Sequence, residues 1–242
     1  MIEHPENTID NTEQNNINIL YAPPKEKRPI LARIISIVLH PVFMVTYTVA
    51  LIYMYTDFRF LFADQFIRFM IPVVFISCIV PLTGIYFLRL TGVIKSFDMK
   101  NKAERFMPFF ILLLSYCLLF YYFWQAKLYI WFLAVLLIPA ILLVIYGIIS
   151  SFWKISAHMI GIGGLIGSIL SMCYYVKGLN LYILFIILFI LAGCLGVSRL
   201  IMNKNTPAQV YTGFLIGLVV SFFTVWLGAY WGLIMFMRNF NL

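Results

Sequence analysis

Three short stretches, far apart in the chain, carry side chains able to grip an anion. The first is Lys100-Asn101-Lys102-Ala103-Glu104-Arg105, the second Lys154-Ile155-Ser156-Ala157-His158. The third joins Ser198-Arg199 to Asn205-Thr206-Pro207-Ala208-Gln209. Arg105 and Arg199 each offer a planar fork of N–H donors that fits two phosphate oxygens, and Lys100, Lys102 and Lys154 supply point charges. Ser156 and Ser198 add hydroxyls. Helices beginning after Ser156 and Thr206 would contribute free backbone N–H groups and the positive ends of their dipoles. Each stretch also has a plain structural reading. Cations at helix ends reach toward the membrane interface, and Thr206-Pro207-Ala208-Gln209 has the form of a capping box, with Pro at the first helical position.

The elements that must position these residues follow from composition. Hydrophobic residues make up 63% of the 242 and charged residues 11%, against roughly 45–50% and about 25% in soluble domains. Lipid is therefore the solvent for much of the chain, and in lipid the backbone pairs internally, as helices or closed barrels. The apolar runs are too long for barrel strands, so the expected architecture is an all-α bundle of six to seven spans. Seven runs qualify: 34–55, 68–90, 107–124, 129–150, 155–176, 181–201 and 208–236. Residues 1–29 are polar and Pro-containing and read as a disordered tail, with the bundle occupying 30–242. Gly161, Gly163, Gly164 and Gly167 in the fifth run, and Gly213 and Gly217 in the seventh, predict close helix packing. Cys78, Cys117, Cys173 and Cys194 all fall inside apolar runs and read as small buried hydrophobes.

A seven-span topology puts twelve of the 17 Lys and Arg on the N-terminal side and five on the other. That bias favours a cytoplasmic N-terminus, although six of the twelve belong to the three anion-gripping stretches. All three stretches then share one membrane face. The net charge of +8 fits anionic lipid or an anionic ligand. Nucleic acid is not an expected partner, because the cations sit at helix ends with no soluble basic domain behind them.

With these stretches the chain resembles the membrane branch of the type 2 phosphatidic acid phosphatase superfamily, whose signature runs Lys-x6-Arg-Pro, Pro-Ser-Gly-His and Ser-Arg-x5-His-x3-Asp. Ser156-Ala157-His158 match its second part, with Ile155 in place of Pro and Ala157 in place of Gly, and Ser198-Arg199 match the start of its third, about 40 residues on. The likeness covers residues 89–217, and the Thr206–Gly213 run is similar to a variant seen in bacterial membrane members. It implies a phosphatase-like helical bundle in a bacterial inner membrane, acting on lipid phosphate. It also implies that His158 is the acid that protonates the leaving oxygen.

The departures are specific. Asp98 stands where the first part has Lys, and Phe106 follows Arg105 where Pro belongs. Asn205 occupies the nucleophilic His position and Gln209 that of the orienting Asp. An amide is neither nucleophilic nor basic, so Asn205 cannot form the phosphohistidine on which such turnover depends. The remaining histidines are His4 and His40, and His40 is a remote substitute. No Asp or Glu follows Glu104, so 138 residues (242 − 104) hold no carboxylate. That excludes a carboxylate-held metal in the second half, and no cofactor is expected. The resulting expectation is a pseudo-enzyme that binds an anionic lipid phosphate. The alternatives are an active lipid phosphate or prenyl diphosphate phosphatase with another nucleophile, and a transport or structural membrane protein.

Overall fold

A computed structural model of the chain describes residues 30–56, 58–61, 65–92, 102–175 and 181–239, without the side chains of 61, 102–106, 175, 236 and 239. The expected disordered tail, 1–29, lies outside the described residues. The described residues form helices and connections, with no strand among them. In chain order the helices are α1 (Ile30–Val38), α2 (Pro41–Tyr55), α3 (Phe58–Leu61), α4 (Phe66–Val74), a π-helical turn (Phe75–Ile79), α5 (Val80–Leu90), α6 (Lys102–Gln125), α7 (Ile130–Phe152), α8 (Ala157–Tyr175), α9 (Tyr182–Ile201) and α10 (Pro207–Asn239). Six segments are long and apolar enough to cross a membrane: Phe66–Leu90, Met107–Gln125, Ile130–Phe152, Ala157–Tyr174, Tyr182–Ile201 and Pro207–Met235. Large apolar side chains such as Phe60, Phe152 and Tyr182 stand exposed on the outside, as lipid contact requires.

The first expected span, 34–55, is not one straight helix: α1 and α2 meet at 59°. The cause is local. Pro41 has no N–H and forces the preceding residue out of helical geometry, and His40 is extended at φ −71°, ψ 141°. His40 N–H bonds the Ile37 carbonyl at 3.2 Å instead of reaching back four residues to Ser36. The Ser36 carbonyl is left for another donor.

The second span is also irregular. Pro72 lies inside α4, the π-helical turn follows it, and Pro81 stands in the first turn of α5. α4 packs against α2, the π turn against both α2 and α6, and α5 against α6. The bundle centres on α8, which packs against α2, α7, α9 and, most extensively, α10. That last seam bears out the small-residue reading. A Cβ at Gly163 would run into the Phe214 carbonyl oxygen, one at Gly167 into that of Leu218, and one at Gly217 into that of Ile160. Only glycine allows so close an approach of two backbones.

The cysteine expectation is half corrected. All four thiols are free, and Cys78 is buried and Cys173 partly so, but Cys117 and Cys194 are exposed on the outer surface. An apolar run does not fix which face of its helix meets lipid.

Candidate functional site

Arg199 stands in the last turn of α9, and the way that helix ends sets its surroundings. Lys204 N–H bonds the Arg199 carbonyl at 3.1 Å and Asn203 N–H that of Leu200 at 2.9 Å. Asn203 takes the left-handed conformation, φ 53°. This is a Schellman closure with Asn in the place usually taken by Gly. It turns the chain so that Asn205 comes back under Arg199: Arg199 Nε donates to Asn205 Oδ1 at 3.1 Å. Asn205 Nδ2 in turn donates to Gln209 Oε1 at 3.2 Å, and the same oxygen accepts Thr206 N–H at 3.1 Å. The last bond is the reach-back half of the expected capping box. Gln209 thus starts α10 and holds Asn205, and Asn205 holds Arg199.

The second donor of the Arg199 fork, Nη1, bonds Ser36 Oγ in α1 at 3.1 Å. His158, on the first turn of α8, points its Nε2 at the Ser36 carbonyl, 3.2 Å away. A carbonyl only accepts, so Nε2 carries the proton and Nδ1 keeps its lone pair. Ser198, next to Arg199 and buried, donates its hydroxyl to the Ala32 carbonyl, also in α1. The carbonyl released by the His40–Pro41 break is therefore claimed by His158.

His40 joins the group. Its ring centroid lies 5.1 Å from that of His158, edge to face at 83°. Its Nδ1 accepts Val42 N–H at 3.4 Å, which caps α2 and leaves the proton on Nε2. Both imidazoles line a cavity of about 510 Å³, with Tyr146 and Ala157 beside them. Deeper, the walls are Val49, Tyr116, Val135 and Ser168. His158 and Ser168 are ten residues apart on one helix, so the cavity runs about 15 Å along the bundle at 1.5 Å per residue. That is about half of a ~30 Å hydrocarbon layer. Its walls are mostly apolar and its volume is typical of small-molecule sites.

The structure thus brings together His158, Ser198, Arg199 and Asn205 from the expected set. Ser156 is buried, its Oγ has no hydrogen-bond partner, and it does not border the cavity. Lys154 is exposed, just before α8. Lys100 lies outside the described residues. Lys102 and Arg105 fall in the first turn of α6, with their side chains outside the description. Sequence reasoning missed Ala32 and Ser36, whose contributions are mainly backbone oxygens, and did not place His40, the remote substitute, beside His158. The His40-Pro41 pair was the available signal, because a residue before proline breaks a helix.

Arg199 is partly buried, and none of the described side chains is a carboxylate. Its hydrogen-bond partners among the described residues are the neutral oxygens of Asn205 and Ser36, an arrangement that leaves attraction for an anion. Among the described residues no group of three or more His, Cys, Asp or Glu is placed to hold a metal. The chain matches no family model, no curated protein and no solved structure.

Proposed function

We propose that this chain is a membrane protein that binds an amphiphile with a phosphate headgroup, the apolar chain in the cavity and the phosphate at the end where His158 and Arg199 lie. On this reading it is a phosphatidic acid phosphatase-like protein, residing in a bacterial inner membrane, that has kept the anion grip and lost the nucleophile. The observation that carries the reading is that His158 and Arg199, from two helices, both bond Ser36, with Ser198 bonding Ala32 about one turn away and His158 also lining the apolar cavity. The bonds of Asn205 argue for binding without turnover. Its amide is held between Arg199 and Gln209, so it serves as a bracket in the place where the family carries an imidazole.

His40 favours a second reading, a hydrolase with a relocated nucleophile, because it lines the same cavity 5.1 Å from His158. Its hydrogen bonding speaks against that reading: Nδ1 is occupied by Val42 N–H and Nε2 then carries the proton.

The test compares dodecyl phosphate with dodecanol, binding to the purified protein in nanodiscs. The phosphate should bind more tightly by about tenfold or more, the value of one hydrogen bond to a charged group, with no release of inorganic phosphate. Equal affinity for the two probes removes the anion site. Phosphate release abolished by His40→Ala establishes the second reading in place of the first.

A further inference from the structure

Three residues of the anion grip spend their donors on one short helix. Arg199 Nη1 donates to Ser36 Oγ at 3.1 Å, His158 Nε2 to the Ser36 carbonyl at 3.2 Å, and Ser198 Oγ to the Ala32 carbonyl. All three acceptors belong to α1. A phosphate headgroup also presents several oxygens that only accept, clustered within a few ångströms. Two of the donors, on His158 and Arg199, meet the two oxygens of one residue, Ser36, and Ser198 bonds a carbonyl about one helical turn (~5.4 Å) away. The pair on Ser36 describes a phosphate subsite with its own chain seated in it.

We propose that α1 is an internal stand-in for the headgroup: its oxygens keep the phosphate subsite closed, and the ligand's phosphate takes the place of Ser36 by displacing α1. This rests on the binding reading above and adds how the site is gated.

α1 is built to be displaced. It has nine residues, too few to hold a helix by backbone bonds alone, and its packing partner is chiefly α9. The break at His40-Pro41 separates it from α2 at 59°, so α1 can turn without moving the span behind it. Its outer face is apolar and exposed at Ile30, Leu31, Ile34 and Ile37. A short helix with such a face stays in the interface when it lifts, its apolar side among the lipid chains. The exchange also has a direction. The α1 oxygens are neutral, and a phosphate offers charged acceptors to the Arg199 guanidinium, which makes stronger hydrogen bonds.

The gate is tested by hydrogen–deuterium exchange of residues 30–38 in nanodiscs, with and without saturating dodecyl phosphate, together with dodecyl phosphate binding by Ser36→Ala. Binding should speed exchange in α1 by about tenfold or more, since its three tethers are given up together. Ser36→Ala removes the acceptor of the Arg199 bond, weakens the competitor, and should tighten binding by roughly three- to tenfold. A wild-type chain that fails to bind while Ser36→Ala binds is the same result in a stronger form. If the wild type binds but α1 exchange is unchanged or slowed, the gate is overturned and the binding reading stands. Equal or weaker binding by a Ser36→Ala protein that unfolds at the wild-type temperature overturns it likewise. If neither protein binds dodecyl phosphate, both ideas fall. The exchange arm uses the unaltered chain, so a misfolding variant does not decide the matter.

Discussion

At the end of the bundle where α7 begins, the Phe132 ring lies 5.0 Å from Phe58, 5.4 Å from Phe69 and 5.7 Å from Phe123. Phe58 and Phe132 are fully buried there. At the opposite end, where α8 and α10 begin, a chain of hydrogen bonds joins Ser36, His158, Arg199, Asn205 and Gln209. The first end is closed by aromatic edges and faces, which cost nothing in polar desolvation. The second places a guanidinium, two imidazoles and two amides at the margin of a lipid environment, where polar and ionisable groups are expensive. A bundle needing only to stand in a membrane could be closed at both ends in the first way. The polar end is where chemistry or binding is to be sought, and the difference between the ends can be measured.

The largest effect should come from the aromatic end. Phe132→Ala opens a hole in a fully buried site and should cost about 3–5 kcal/mol of stability, read as earlier thermal unfolding in detergent. The affinity of the surviving folded protein for dodecyl phosphate should be unchanged. If binding fell with stability, the two ends would not be separable. Arg199→Ala should act in the opposite sense. It removes two charge-assisted bonds and should weaken dodecyl phosphate binding by roughly ten- to a hundredfold. Dodecanol binding should hold. Equal losses for both probes would make Arg199 a structural tie. Gln209→Ala takes the shared oxygen from Thr206 and Asn205 and should cost about 1 kcal/mol in unfolding, the usual value of a helix cap. It should lower phosphate-probe affinity only a few-fold, by loosening Asn205 behind Arg199. Raising salt should weaken the phosphate probe modestly and leave dodecanol untouched, because exposed ion contacts are screened over about 8–10 Å at physiological ionic strength.

The sequence showed the helices clearly, because the 63% apolar content leaves lipid as the only solvent that fits. Gly163, Gly167 and Gly217 marked the tightest seam for the same physical reason the backbones now meet there. Thr206 and Gln209 announced the start of α10, since a capping box is a short-range pattern. Other features were hidden because they depend on geometry beyond one helix. The 34–55 run has no polar interruption strong enough to divide it by hydropathy, and the break comes from Pro41 acting on His40. The roles of Ala32 and Ser36 rest mainly on carbonyls, which every residue has. His40 could be matched with His158 only through the packing of α2 against α8, which lie more than a hundred residues apart in the chain. The π turn after Pro72 likewise has no pattern in hydropathy, yet it lies where the packing of the second span passes from α2 to α6.

The most direct test of the central claim, that one site takes a phosphate at the polar end and a chain toward mid-membrane, is photo-crosslinking. An alkyl phosphate with a diazirine at the far end of its chain would be bound to the protein in nanodiscs, irradiated, and its attachment sites read by mass spectrometry. The account predicts labelling of the deep cavity wall at Val49, Tyr116 and Val135, suppressed by excess dodecyl phosphate and reduced in Arg199→Ala. Labelling confined to lipid-facing residues such as Phe152 and Tyr182, unaffected by competitor, would contradict it.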